Sequence, residues 1–485
     1  MARFAVPDGW TAQAYQFALD VSPTQGRACA SHAGAAKFAY NRMLARVKAV
    51  MDQRAAERTY GIADDALTPA QGWSLPALRR TWNQVKDRAA PWWPENSKEA
   101  YNTGLDSLAR ALGNWSESRS GGRAGGPVGF PRFKNRHSRR SVRFTTGIIR
   151  VEAGRHHVTL PRLGRIKAFE STRKLARRLE NGTARILSAT LSYSRGRWVV
   201  SFQTLVQRAR RSPAHAGKSE HPVVGVDVGV KDLMVVAAPD GTEVDRIPAP
   251  KSLTHAQNKL RALQRKAARQ LGPYDSLTKS KREPSRRWQR TQTRVAKTHS
   301  RAANVRRDVL DKATTRLAQQ HQVVVVETLN ASGMRSAGGA RKHGLNRALA
   351  DAALAEIRRM LTYKTHWYDS TLVQADRWYP SSKTCSAFGG RKPNLTLADR
   401  TYVCEHCGLV LDRDRNAAIN LARLGETHLS GESSPAGSGP VAGRGATQKT
   451  NTTQVVEAAG WETSTPHQQQ LGQTGTVVLQ GTAAR

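Results

Sequence analysis

Apolar residues in this chain follow three different rhythms. From Arg27 to Ser118 they recur every three or four positions, most clearly in HAGAAKFAYNRMLARVKAVM (32–51), which predicts helices. Ser22-Pro23-Thr24-Gln25 opens them, after a short strand. From 142 to 206 apolar and polar positions alternate between Gly and Pro breaks, which predicts strands, the last two forming a hairpin that turns at Arg195-Gly196. Residues 1–24 and 121–207 therefore read as one small β-barrel or sandwich with a helical domain inserted at 25–120. A polar linker, 208–222, follows. The third rhythm is unbroken apolarity: VVGVDVGV and DLMVVA end in the turn Pro239-Asp240-Gly241, and Val323–Val326 predict a central strand covered on both faces. Residues 347–368 predict one amphipathic helix, STLVQADRWYPSS a strand ending in a loop, and RDRNAAINLARLG a closing helix. The divisions are 223–380 for an α/β domain, 381–411 for a cysteine-bearing insert and 412–425 for the last helix. From 426 to 485 there is too little apolar mass to offset ordering entropy, which predicts disorder. The expected class is multidomain α+β.

Charge narrows the function. Lys and Arg number 77 against 37 Asp and Glu, a net charge of +40 in 485 residues, which points to a polyanion partner. The segment 251–320 carries 19 cations against four acids, and Pro273 and Pro284 divide it into at least two helices, with Arg286, Arg287 and Arg290 among the expected nucleic-acid contacts. In the glycine-rich loop at 121–140, Phe130 and Phe133 are interleaved with Arg132, Lys134 and Arg136, which predicts a second contact. Trp73, Trp82, Trp92, Trp93 and Trp115 read as helix-packing anchors. No apolar run reaches the roughly 18 residues a membrane span needs, so no membrane partner is expected.

Acids are scarce, so an acid inside an apolar strand stands out. Two-metal phosphodiester hydrolysis gathers carboxylates around two Mg²⁺ ions about 3.5–4 Å apart. Asp227 interrupts Val-Val-Gly-Val-Asp-Val-Gly-Val, Glu327 ends the valine run, and Asp414 lies where the last helix begins. Gly225 and Gly229 flank Asp227 on one strand face, which predicts close approach of a nucleic-acid backbone there. Each acid alone has an ordinary alternative: a turn for Asp227, an arginine partner for Glu327, a helix N-cap for Asp412 or Asp414. Their order is that of an RNase H-type fold, in which Asp on a first strand, Glu after a later strand and Asp at a final helix start converge. It predicts a Mg²⁺-dependent nuclease with Asp227, Glu327 and Asp414 as catalytic metal ligands.

Cys385, Cys404 and Cys407 have the spacing of zinc-binding thiolates, but position 388, where a fourth would stand, is Phe. His406, between two ligands, is poorly placed to bind the same ion. Three outcomes stay open: three thiolates plus water or another ligand, a weak Zn²⁺ site, or a fold kept without metal. With Cys29, four cysteines are too few for a disulfide scaffold and fit a reducing compartment.

Together these segments resemble the TnpB (transposon OrfB) family, RNA-guided DNA endonucleases of bacterial insertion sequences related to the type V CRISPR effectors. The resemblance spans about residues 10–425 and rests on HAGAAKFAYN, GFPRFK (129–134), LPRLGRIK (160–167), GVDVGVKDL (225–233), VVVETLN (324–330), LTYKTHWY (361–368), DRWYPSSKTCS (376–386) and YVCEHCGLVLDRDRNAAINLARLG (402–425). It implies an N-terminal wedge β-barrel with an inserted helical recognition domain, then a RuvC-like domain with a zinc-ribbon-like insert. It implies that Asp227, Glu327 and Asp414 are the RuvC acids, while Asp376 and Asp412 match neighbouring positions. The family normally has cysteine where Phe388 stands. Implied partners are a guide RNA from the transposon end and double-stranded target DNA beside a short motif, with one protein copy in the complex. The implied location is the bacterial cytoplasm, at the nucleoid when bound. Two other functions compete: an RNA-guided DNA-binding regulator with little cleavage, and a DNA transposase accessory protein.

Overall fold

Ser22 Oγ accepts from the Gln25 N–H at 3.2 Å while Gln25 Oε1 accepts from the Ser22 N–H at 3.1 Å, a reciprocal cap that starts the first long helix. The computed structural model describes residues 6–208, 220–271, 285–336, 342–396 and 399–429, with the backbone alone at 274–275 and 280–281. Strand β1 (Trp10–Asp20) precedes helix α1 (Pro23–Thr59), and α2 (Leu75–Ala89) and α3 (Lys98–Arg119) follow. These helices pack through Tyr40, Met43, Leu44, Leu105 and Leu108, all buried. Gly104 permits the α1–α3 crossing, since a Cβ there would stand 2.0 Å from the Ala36 carbonyl oxygen. The tryptophans serve packing: Trp82 stacks on Tyr101 at 5.2 Å and Trp73 meets Trp115 edge-on at 6.2 Å.

Next come β2 (Arg140–Phe144), β3 (Arg150–Val151), β4 (His157–Leu160), β5 (Gly164–Ala168), a short α4 (Arg173–Glu180), β6 (Ala184–Ser194) and β7 (Arg197–Gln207). Arg195 and Gly196 turn the β6–β7 hairpin with φ of 54° and 84°, the left-handed pair such a tight turn requires. The sheet order is β2-β6-β7-β1-β5-β4-β3, antiparallel throughout. Strand β1 serves both halves, Trp10–Ala18 pairing with β7 and Leu19–Asp20 with β5. The expected closed barrel is absent among the described residues, because β2 and β3 remain separate edges. Helix α3 occupies the outer side of β2. Thr103 Oγ1 accepts from the Arg143 N–H at 3.0 Å and donates to its carbonyl at 3.2 Å, and Glu99 accepts from the Thr145 hydroxyl at 2.7 Å. Side chains thus satisfy the edge that a closing strand would use.

The second half comprises β8 (Val223–Asp227), β9 (Asp232–Ala237), β10 (Glu243–Pro248), α5 (Ser252–Arg269), the two-residue strands β11 (Tyr274–Asp275) and β12 (Ser280–Lys281), and α6 (Arg286–Gln320). It continues through β13 (Val323–Glu327), α7 (Ala331–Ser336), α8 (His343–Ala352), α9 (Leu354–Tyr368), β14 (Thr371–Ala375), β15 (Thr401–Val403), β16 (Val410–Asp412) and α10 (Arg413–Leu429). Five strands form a mixed sheet in the order β10-β9-β8-β13-β14, with β8, β13 and β14 parallel. Both faces are covered, as the valine run requires. Val324 and Val326 pack toward Leu310 and Leu317 of α6 and Ile357 and Leu361 of α9, whereas Val323 and Val325 pack toward Leu421 of α10. The chain is thus a multidomain α+β protein.

Two boundaries differ from the sequence pattern. The helix expected over 347–368 is two helices, broken at Ala353 with φ 53°. Buried Asp351, two residues before the break, is fixed to the start of α5 and to α6, accepting from the Leu253 N–H at 2.9 Å and from Arg306 at 3.1 Å. Helix α10 runs to Leu429, past the expected end at 425, because Gly425 still packs against Val223 and Val325. The tail from 430, linker residues 209–219, Pro273 and Pro284 lie outside the described residues. Among the described residues no helix is long and apolar enough to cross a membrane.

Candidate functional site

Asp227 and Glu327 are the last residues of neighbouring parallel strands, which stand about 4.8 Å apart. The register pairs Val226 with Val326, so the two acids follow at one level and point to the same face, toward α10. Asp414 occupies the first turn of α10. Three elements thus bring three carboxylates to the carboxyl edge of the sheet. Burial, then the charges of Glu327 and Asp414, push the Asp227 pKa well above the usual carboxylate range. Burial also raises Glu327, while the Ser381 hydroxyl opposes the rise. Arg413 moderates both, its Nη2 standing 3.2 Å from Asp414 Oδ1. The acids share one field, yet among the described residues only the cysteine trio has its donor atoms all within 4.8 Å of one another.

Asp412 is the cap of α10, accepting from the N–H groups of Asp414 at 3.1 Å and Arg415 at 3.0 Å. Arg246 ties it to the sheet, reaching Asp412 at 3.4 Å, Asp232 at 3.0 Å and Glu243 at 2.8 Å. The glycines flanking Asp227 face protein backbone. A Cβ at Gly225 would lie 2.0 Å from the Ala418 carbonyl and 2.4 Å from the Ala422 nitrogen, so this glycine receives the backbone of α10 rather than a nucleic acid. A Cβ at Gly229 would meet the Asp232 carbonyl at 2.7 Å, the mark of a tight turn between β8 and β9.

Ser381 touches the acid site and has no signature in the sequence, since a lone buried serine carries no pattern. Its hydroxyl donates to Glu327 Oε1. Asn420 of α10 donates to the Ser381 carbonyl at 2.8 Å and the Thr384 carbonyl at 2.7 Å, and Asn416 donates to Thr384 at 2.7 Å while accepting from the Ser386 N–H at 2.9 Å. The helix carrying Asp414 therefore also clamps the loop that holds Glu327. Ser381→Ala removes a bond to the ionised carboxylate, so Glu327 keeps its proton to higher pH. An NMR titration of the Glu327 carboxyl should show its midpoint moved upward in the variant. An unchanged titration would leave Ser381 a packing residue.

The insert between β14 and α10 places Cys385, Cys404 and Cys407 together, with Cys385 and Cys407 sulfurs 3.6 Å apart. The backbone N–H groups of Cys407 and His406 bring the Cys404 thiol down to about 7. Phe388, half-exposed, stacks on His406 at 5.2 Å, and neither side chain joins the trio. Cys29 is buried in α1, where burial pushes its thiol up to about 12.

The expected nucleic-acid contacts are dispersed. Arg287 and Arg290 line a cleft between α5 and α6 with Lys266, Arg294 and Lys297, and Arg286 is exposed at the start of α6. Arg132 and Arg136 are exposed on the 121–140 loop. Lys134 turns inward, its ammonium 2.8 Å from Ser107 Oγ and 3.9 Å from the Tyr40 ring centroid, and burial lowers its pKa to about 8.

Three family models match the chain: "Cas12f1-like, TNB domain" over 355–421, "Probable transposase" over 202–337 and "Helix-turn-helix domain" over 11–55. The last covers a strand and part of one unbroken helix, with no turn between helices. A "Putative RNA-guided DNA endonuclease" of Mycobacterium tuberculosis H37Rv is 41% identical over 93% of this chain and 94% of its own length. "Putative RNA-guided DNA endonuclease InsQ" of Escherichia coli K12 is 27% identical over 86% and 93%. A solved Cas12f1–sgRNA–target DNA complex is similar at 12% identity and TM-score 0.43, covering 86% of this chain and 99% of that one.

Proposed function

Because the chain belongs to the TnpB (OrfB) family of RNA-guided DNA endonucleases, we propose that it is a transposon-associated nuclease that hydrolyses DNA at sites matched by a bound guide RNA. The observation that carries this reading is the gathering of Asp227, Glu327 and Asp414, from two strand ends and a helix start, into one electrostatic field. The sheet β10-β9-β8-β13-β14 with α10 is then a RuvC-like RNase H core, spanning 223–380 and 412–429. The seven-stranded sheet is the wedge, and the helices of 25–120 are the recognition domain. A partly buried cluster of acids, in which burial first and neighbouring acidic charge second hold Asp227 and Glu327 above the usual carboxylate range, is the donor chemistry of a divalent-cation site. The three carboxylates would hold two Mg²⁺ ions, which when bound activate water and steady the leaving oxygen. Ser381 fixes the Glu327 carboxylate, and Arg246 with Asp412 fixes the helix start that presents Asp414. The α5–α6 cleft and the arginines of the 121–140 loop supply charge for the phosphate backbone, while pairing with the guide supplies sequence.

The direct experiment incubates the RNA-loaded protein with a guide-matched plasmid in Mg²⁺ and in EDTA. Cleavage in Mg²⁺ alone is expected. Tight target binding with no cleavage would favour the regulator instead.

For the cysteine trio, three converging thiols, one already near a pKa of 7, fit zinc with one protein ligand fewer than a closed structural site. Purified protein should contain about one zinc per chain, and Phe388→Cys should slow its loss to a chelator severalfold by closing the fourth position. Elemental analysis showing a ratio near zero would remove the ion from this account.

A further inference from the structure

Trp378 is the largest side chain of the 376–380 loop and is 79% exposed, an unusual cost for an indole unless something covers it in use. The loop is tied to the acid site at both ends. Ala375 pairs with Glu327 in the sheet, and Ser381 hydrogen-bonds to the same carboxylate. Three residues of chain on either side keep Trp378 within about 11 Å of each anchor. Its backbone is fixed, because Asp376 Oδ1 accepts from the Trp378 N–H at 2.8 Å and the Asp376 carbonyl accepts from the Tyr379 N–H at 3.0 Å. Tyr379 turns inward and donates to the Asn420 carbonyl at 3.1 Å, whereas the indole of Trp378 faces outward beside exposed Arg377. Arg377 lies 4.9 Å from the indole centroid, a cation that suits a phosphate beside a stacked base.

We propose that Trp378, with Arg377, is a stacking platform for an unpaired nucleobase of the DNA strand being cut, holding that strand over Asp227, Glu327 and Asp414. This rests on the nuclease reading and adds a site for single-stranded DNA to it. A flat aromatic face accepts any base, so it grips without selecting sequence. That property suits an enzyme whose sequence selection comes from pairing with RNA.

The test has two readouts. In the first, RNA-loaded proteins cut a guide-matched plasmid. Trp378→Ala should cut roughly tenfold more slowly, Trp378→Phe near the native rate, and both should keep native melting temperature, RNA content and target affinity. In the second, Asp227→Asn protein binds a target whose displaced strand carries 2-aminopurine near the cut position. Its fluorescence should be quenched with Trp378 or Phe at 378 and recover with Ala. If native protein cuts while Trp378→Ala cuts and quenches like it, the platform is overturned and the nuclease stands. Equal losses in the Ala and Phe variants, or lost RNA content in Trp378→Ala, also overturn it. If the native protein cuts nothing, the nuclease reading fails and the platform fails with it.

Discussion

Asp227→Ala protein, loaded with its RNA, should cut guide-matched DNA at least about a thousandfold more slowly than the native chain, while RNA retention and target affinity stay within about twofold. A bound divalent ion contributes several kcal/mol of charge stabilisation to phosphoryl transfer, and each 1.4 kcal/mol is tenfold in rate. The loss should not come from unfolding. Burial and the neighbouring acids raise the Asp227 pKa, so its folded form prefers the proton. In EDTA the native chain therefore loses this group's contribution as pH rises from the ordinary carboxylate range through the raised value. A variant without the carboxyl escapes that loss. Calorimetry at pH 7.5 in EDTA should find the variant at least as stable as the native protein. Native cutting by the variant would remove Asp227 from the chemistry.

Gly225→Ala should fail for the opposite reason. The added Cβ would meet backbone atoms of Ala418 and Ala422 and the Leu421 side chain, none of which can swing aside. Helix α10 must lift from β8, at a cost of about 3 kcal/mol or more, and Asp414 moves away from Asp227. Melting temperature and cleavage should fall together, whereas Asp227→Ala loses cleavage alone. A stable, active Gly225→Ala protein would contradict the helix–sheet contact that assembles the site.

The candidate acids were legible because each sits where its residue type is out of place: an Asp within a valine strand, a Glu at the end of four valines, an Asp opening a helix with two alanines behind it. Their convergence follows from parallel pairing of β8 and β13, which an unbroken apolar run announces. The Arg195-Gly196 turn was legible because that pair adopts the left-handed φ values a tight hairpin needs. Whether the expected barrel or sandwich closes was not legible, because alternation marks strands but says nothing of Thr103 and Glu99 on a distant helix against the β2 edge. The break at Ala353 was hidden for a similar reason, since neighbouring Asp351 is bound to Leu253 of α5 and Arg306 of α6, both distant in sequence. Gly225 was seen as special but assigned the wrong neighbour, as an open strand face does not declare what fills it. Lys134 looked like every other cation of its loop until Tyr40 and Ser107 gave it a packed place. Ser381 had no local signature at all, since its meaning lies in a contact with Glu327, 54 positions earlier.

The most direct test of the central claim is anomalous diffraction from crystals of the RNA-loaded protein soaked in Mn²⁺, a scatterer that takes the same oxygen ligands as Mg²⁺. Two peaks about 3.5–4 Å apart, each reached by carboxylates among Asp227, Glu327 and Asp414, are predicted. Peaks elsewhere, with these three acids bare of manganese in an otherwise occupied crystal, would contradict the account.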